Sequence, residues 1–178
     1  PLTALLERQD IHSNILTEAK FRSDWKQNII FSHGTSNSRV VAIMFGEKTD
    51  FEIAESILDP GGKYVALNLK LFETYTTLIA LYGPNIDDPK FYSKISNVID
   101  QCQNSSIIIC GDWNLVQDQV KDTKYYVRDN NIKARKAVLD MKHKYDLRDP
   151  WRINNPDSQQ FTWFQKNPIK KTGLLSCI

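Results

Sequence analysis

Cysteine is scarce in this chain. Cys102, Cys110 and Cys177 are the only three in 178 residues. An odd count with no CxxC spacing excludes a disulfide framework and offers no zinc pattern, so a reducing compartment is expected. Charge of one sign is also missing: 23 basic residues against 21 acidic leave a net +2. That balance neither requires nor excludes a nucleic-acid partner. No apolar run reaches membrane-spanning length, and no signal-peptide pattern opens the chain. The expectation is an intracellular protein, nuclear or cytoplasmic, with no membrane partner. Internal repeats and low-complexity linkers are absent too. What is present is 41% hydrophobic and 25% charged, as in ordinary globular proteins, and the length favours a single domain over residues 1–178. The chain opens on Pro1 rather than Met, so its start is expected to lie upstream.

The hydrophobic pattern gives a coarse order of elements. Pro1 to Lys20 is a polar-apolar lead with no assigned element. Asn28 to Ser32 and Val40 to Phe45 are two apolar segments around a turn-rich SHGTSNSR, which predicts a hairpin. Asp50 to Leu58 reads as a third strand, closed by the turn Asp59-Pro60-Gly61-Gly62. Val65, Leu67, Leu69 and Leu71 alternate with Ala66, Asn68 and Lys70, the period-two signature of a half-buried strand. Thr76 to Tyr82 is another strand and runs into Gly83-Pro84-Asn85. Asp88 can cap a helix with Pro89 in its first turn; Phe91, Ile95, Val98, Ile99 and Cys102 then share one face. A second helix is expected over Ile132 to Tyr145, with Ala134, Val138, Met141 and Tyr145 on one face, and a short strand over Gln159 to Phe164. Strands in antiparallel pairs with helices between them suggest an α+β layered fold.

The stretch SSIIICGDWN carries the most chemistry. Ile107, Ile108, Ile109 and Cys110 form an unbroken apolar run, as in a strand buried on both faces. It ends in Gly111, which relaxes the backbone, and then Asp112 and Asn114. On an extended backbone these two point to the same side. A carboxylate and a carboxamide at a strand mouth suit hydrolysis: one orients or deprotonates a water, the other steadies a phosphate oxygen or a metal's shell. The plainer reading is a polar turn, since Asp and Asn are common in turns.

Taken in order, NIIFSHGTSNSRVVAIMF, LYGPNIDDPKFY, IIICGDWNLVQD, YDLRDPWR and SQQFTWF resemble the endonuclease/exonuclease/phosphatase superfamily. More narrowly they resemble the apurinic-type endonuclease domain of non-LTR (LINE-type) retrotransposons, from about Gln9 to Gly173. The resemblance implies a four-layer α/β/β/α sandwich, two packed and mostly antiparallel sheets flanked by helices. It implies Mg²⁺-assisted (or Mn²⁺-assisted) hydrolysis of a DNA phosphodiester, leaving a nick that primes reverse transcription. Gln9-Asp10-Ile11-His12 matches the family's metal-binding stretch, so Asp10 takes the place of its metal-binding acid. Tyr82 matches an active-site tyrosine that contacts the scissile phosphate. Asp112 matches the aspartate that activates the attacking water, and Asn114 the asparagine that positions the phosphate. Thr162 matches a position near the DNA-binding surface. DNA is the implied partner of a monomeric domain, with a reverse transcriptase domain in the parent polyprotein. Mg²⁺ fits oxygen ligands, keeps several waters and needs few protein carboxylates.

Other polar and aromatic residues have plainer readings. His12, His33 and His143 read as surface residues, and Trp151 and Trp163 as core or sheet-face residues. Lys166, Lys170 and Lys171 could follow a DNA backbone, or form a solvated loop.

The sequence also departs from the family pattern. The acid is Asp10 rather than Glu, which retracts the carboxylate by about one C–C bond, ~1.5 Å. Val40 stands where the family has Gly, so a Gly-requiring backbone would be strained there. No counterpart of the family's first strand is found. Lys170-Lys171-Thr172-Gly173 is followed by Leu174-Leu175-Ser176-Cys177-Ile178 rather than by the family's Leu-Asp-Phe strand and Ser-Asp-His end. The expectation is a fold incomplete at both ends, with impaired activity. The alternative is a non-catalytic retrotransposon remnant with weak or no DNA binding. A phosphatase acting on a lipid or inositol phosphate would use the same Asp and Asn chemistry.

Overall fold

The computed structural model describes residues 2–6, 15–34, 40–125, 131–166, 169–172 and 175–177, with side chains described over 18–34, 40–125 and 131–162. Two compact units divide the chain: Pro1–Tyr82 with Gln101–Gly111, and Gly83–Asp100 with Asp112–Ile178.

The first unit is built on two sheets. β1 (Leu2–Leu6), β2 (Ile29–His33) and β3 (Val40–Phe45) form one, in the antiparallel order β1-β3-β2. β4 (Phe51–Leu58), β5 (Tyr64–Leu71), β6 (Thr74–Tyr82) and β7 (Ser106–Asp112) follow one another in the other. β3 shows how the sequence dictates the packing. Every residue of VVAIMF is buried, because alternate side chains leave opposite faces of a strand. Val41, Ile43 and Phe45 join Val65, Leu67, Leu69, Leu78 and Ala80 in the core between the sheets. Val40, Ala42 and Met44 pack with Ile29 and Phe31 against Phe21 and Trp25 of α1 (Ile15–Trp25). The expected strain at Val40 does not arise: it is buried in extended strand and takes no positive φ.

The lead Pro1–Lys20 is where the sequence reading is corrected, since it holds β1 and the first half of α1. The described face of α1 offers only Phe21 and Trp25 to the sheet, too little for periodicity to reveal. Its place is fixed instead by tertiary bonds. Trp25 Nε1 donates to Phe45 O at 3.0 Å and Arg22 reaches Ile29 O at 3.3 Å. Glu18 pairs with both Arg22 and His33, so its carboxyl sits below the ordinary range even though burial alone would raise it.

β4, β5 and β6 pair antiparallel. β6 and β7 run parallel: Thr76 Oγ1 bonds Ser106 Oγ at 3.2 Å near their starts, and Cys110 Sγ lies 3.8 Å from Ile79 O further along. A parallel pair needs a crossover, and α2 (Pro89–Cys102) supplies it. Asp88 caps α2 through the N–H groups of Lys90 and Phe91. The face foreseen from spacing (Phe91, Ile95, Val98, Ile99 and Cys102) is buried, with Tyr92 added.

In the second unit, α3 (Ile132–Lys144) buries Ala134, Val138 and Met141. Its C-terminal end is tied to α2 by Lys144 and Tyr145 on Asp100, and by the Tyr145 hydroxyl on Ser96 O. α4 (Pro150–Asn154) is capped by Asp149. β8 (Thr123–Lys124), β9 (Trp163–Lys166) and β10 (Ile169–Thr172) form a small antiparallel sheet, and β11 (Leu175–Cys177) follows. The expected strand over Gln159–Phe164 is displaced. Arg152 grips Ser158 O at 2.8 Å and Gln159 reaches Val120 O at 3.3 Å, so these residues stay in a loop and the strand begins at Trp163. Trp151, expected inside, is 37% exposed, with Arg152 over its ring at 4.8 Å. The architecture is α+β with two packed sheets and helices: the hydrophobic pattern implied the α+β class, and the family resemblance the two sheets. Among the described residues no helix is long and apolar enough to cross a membrane.

Candidate active site

β7 ends in a tight turn that gathers polar groups. Gly111 sits at φ 144°, and a Cβ there would come within 2.0 Å of Leu81 O. Only glycine fits this close approach. Asp112 follows, then Trp113, fully buried. The Trp113 ring stacks on Tyr92, centroids 6.0 Å apart and 5° from parallel. Its carbonyl accepts the Tyr92 hydroxyl at 2.5 Å. Burial, aided by the charges of Asp112 and Asp88, pushes the Tyr92 phenol well above its ordinary range, so this hydroxyl is a fixed donor.

Asn114 takes the left-handed conformation, φ 48°. That corrects the sequence reading: Asp112 and Asn114 do not alternate along an extended strand. The chain turns back instead, and the Asn114 N–H donates to Asp112 Oδ1 at 2.9 Å. Asparagine is among the few non-glycine residues that accept this region readily. The Asn114 amide Nδ2 donates to Gly83 O at 2.7 Å, and Gly83 N–H donates to Asp112 O at 2.6 Å. Nδ2 carries a second N–H, which leaves the carboxamide able to hold an anionic oxygen while still anchored. Burial raises the Asp112 carboxyl above its ordinary value, and the bond from Asn114 N–H acts against that. A partly buried carboxylate held this way is suited to take a proton from water.

Gly83 is a contributor that sequence reasoning missed, although it stands in the quoted LYGPN. A Cβ at Gly83 would lie 2.2 Å from Trp113 O and 2.7 Å from the Tyr92 hydroxyl. Gly83→Ala is expected to cost about 1–3 kcal/mol through overpacking, read as a lowered urea midpoint. Tyr92 and Trp113 were missed as well. The only signal for them was two large aromatics near a polar turn.

The remaining site residues are placed less closely. Tyr82 is the last residue of β6, packs beside the inter-sheet core, and donates its N–H to Lys63 O at 2.7 Å. Thr162 is exposed, one residue before β9. Asp10 and His12 lie outside the described residues, as do the side chains of Trp163, Lys166, Lys170 and Lys171. His33 pairs with Glu18 at 2.8 Å on an exposed surface, and His143 is exposed on α3. Among the described residues, no three His, Cys, Asp or Glu side chains come together as a metal centre. The donors the turn does offer are oxygens, the Asp112 carboxylate and the Asn114 carboxamide, of the kind a hard divalent cation accepts.

Known proteins share this arrangement of elements. The structure matches an AP endonuclease from Archaeoglobus fulgidus with a TM-score of 0.68 at 14% identity, covering 99% of this chain and 75% of that one. It matches a 3′ phosphatase from Neisseria bound to a product DNA hairpin with a TM-score of 0.64, again at 14% identity, covering 99% and 74%. The endonuclease domain of TRAS1, a telomere-specific non-LTR retrotransposon, gives a TM-score of 0.60 at 12% identity, over 84% of this chain and 65% of that one. The chain has the endonuclease/exonuclease/phosphatase fold. In sequence, 163 residues are 23% identical to the transposon TX1 uncharacterized 149 kDa protein of Xenopus laevis. The match takes in 87% of this chain and 12% of that protein's length. The resemblance read from the ordered set of stretches therefore has a retrotransposon endonuclease domain among its neighbours in structure and a transposon protein among its neighbours in sequence. No protein-family model matches the chain.

Proposed function

We propose that this chain is a DNA endonuclease module of a non-LTR retrotransposon protein, hydrolysing a phosphodiester to leave a nick. The observation that carries the reading is the GDWN turn. It holds a partly buried carboxylate and an anchored carboxamide within one hydrogen-bonded turn at a strand mouth. Asp112 orients and deprotonates the attacking water, and Asn114 holds a phosphate oxygen through its second amide proton. Tyr82 adds a hydroxyl to the phosphate, and Thr162 lies on the DNA-binding side. Mg²⁺ would be held by Asp10, and would offset charge on the transition state and lower the pKa of bound water. The nuclease and retrotransposon neighbours support DNA as the substrate, and the span of the Xenopus laevis protein supports a larger polyprotein as the parent.

The test is nicking of supercoiled plasmid by the purified chain, with Mg²⁺ and with excess chelator. Open-circle product that appears with Mg²⁺ and disappears with chelator is the expected result. A folded sample that leaves the plasmid supercoiled would overturn the reading and favour a non-catalytic remnant. Release of phosphate from soluble inositol phosphates instead would move the activity to a phosphatase.

A further inference from the structure

Asn131 occupies the cap position of α3 but does not cap it. An asparagine there ordinarily accepts a bond from its own helix's first N–H groups. Here its side chain makes no cap bond, and its backbone is left-handed, φ 58° and ψ 41°. Its amide Nδ2 donates instead to Asn114 O at 3.2 Å. The capping duty passes to Asp87, whose carboxylate accepts Ala134 N–H at 2.7 Å and Lys133 N–H at 3.3 Å. Asp87 belongs to the loop that begins at Gly83, the residue whose carbonyl anchors the Asn114 amide. The bonds close a ring within the second unit. Gly83 holds Asn114, Asn114 O is held by Asn131, Asn131 leads into α3, and α3 is tied through Asp87 back to the Gly83 loop.

We propose that Asn131 is a positioning residue: its amide fixes the Asn114 peptide in the left-handed conformation and so aims the Asn114 carboxamide. A left-handed non-glycine residue costs free energy and persists only where its surroundings over-determine it. Asn114 is held on three sides, by its N–H on Asp112, its side chain on Gly83 and its carbonyl on Asn131. Releasing the carbonyl frees the peptide to rotate, and the carboxamide swings with it. That α3 is capped by another residue leaves the Asn131 side chain to this one task. The functional part of the inference rests on the nuclease reading, and its geometric part does not.

Two variants separate the roles. Asn131→Gly keeps the left-handed backbone without strain and deletes the amide. Asn131→Asp keeps the size but sets an acceptor against the Asn114 carbonyl. Both are expected to lower kcat for plasmid nicking about tenfold to a hundredfold, the loss that follows from small misplacement of a reacting group, with KM unchanged. Amide hydrogen exchange at Asn114 should quicken in both, while Lys133 and Ala134, capped by Asp87, stay protected. Unchanged kcat in both variants beside an active wild type would overturn the proposal. So would exchange at Lys133 and Ala134 that rises together with that at Asn114, since the residue would then merely hold α3 in place. If the wild-type chain does not nick, the nuclease reading fails by itself. The exchange arm then decides the geometric part: faster exchange at Asn114 alone supports it, and unchanged exchange overturns it.

Discussion

Asp112→Asn is expected to slow nicking by about 10²–10⁴-fold, the usual contribution of a positioned acid or base, and to make the protein more stable at neutral pH. Both effects come from one geometry. Asparagine keeps an oxygen to accept the Asn114 N–H but cannot take a proton from water. It also removes a charge that burial disfavours. The sign follows from the raised carboxyl pKa of the folded state. Below the ordinary carboxylate range, folded and unfolded chains are both protonated at Asp112 and the residue costs nothing. Between the ordinary value and the raised one, the folded chain holds a proton that the unfolded chain has released. Stability therefore falls as pH rises through that window and stays lower above it. The variant lacks this loss, so the gap in urea midpoint between variant and wild type should open as pH climbs through the window and close at more acidic pH. Nicking rates and urea midpoints across a pH series check both halves. A variant that nicks at the wild-type rate would remove Asp112 from the chemistry. A variant less stable than wild type at neutral pH would show that ionised Asp112 is stabilised by partners other than Asn114.

Burial also explains which parts of the molecule the sequence could reveal. Strands and helices that bury a regular stripe were legible. The buried face of α2 follows from period alone, because burial drives it and burial is periodic; β5 was legible as a strand but not as a half-buried one, since Tyr64, Val65, Ala66 and Leu67 are all buried. Asp112 and Asn114 were legible as residue types, but their geometry was not. An extended reading placed both on one side of a strand. The turn is instead forced by Trp113, buried against Tyr92, and by the tight approach of Gly83, contacts distant in sequence. α1 was hidden for a similar reason: two aromatics and a set of bonds to β2 and β3 hold it, and none of these has a period. Asn131 carried no signal at all. An asparagine before a helix reads as its cap, and only the carboxylate of Asp87 on Lys133 and Ala134 shows that the cap lies elsewhere.

Trp113 is the largest fully buried side chain among the described residues, and its loss should cost the fold heavily. Trp113→Ala is expected to cost about 3–5 kcal/mol in lost transfer and cavity energy. A domain of ordinary stability has about 5–15 kcal/mol in hand, so this one change removes a large share. The Tyr92 hydroxyl keeps its acceptor, because the Trp113 carbonyl belongs to the main chain, so that donor is not orphaned. Trp113→Phe retains an aromatic face for Tyr92 and should lose a smaller part of the same energy. Urea unfolding followed by far-ultraviolet circular dichroism orders the two variants. The same pair bears on the site, because Trp113 stands between Asp112 and Asn114. If the ring only fills space, Trp113→Phe should recover stability and nicking together. If the ring sets the turn, nicking should stay depressed in a Trp113→Phe protein that is folded, and the Asn114 N–H should exchange faster as its bond to Asp112 loosens. Equal stability of Trp113→Ala and wild type would show that the ring makes no net contribution to the fold, and the account of the turn would have to rest on Gly83 and Asn131 alone.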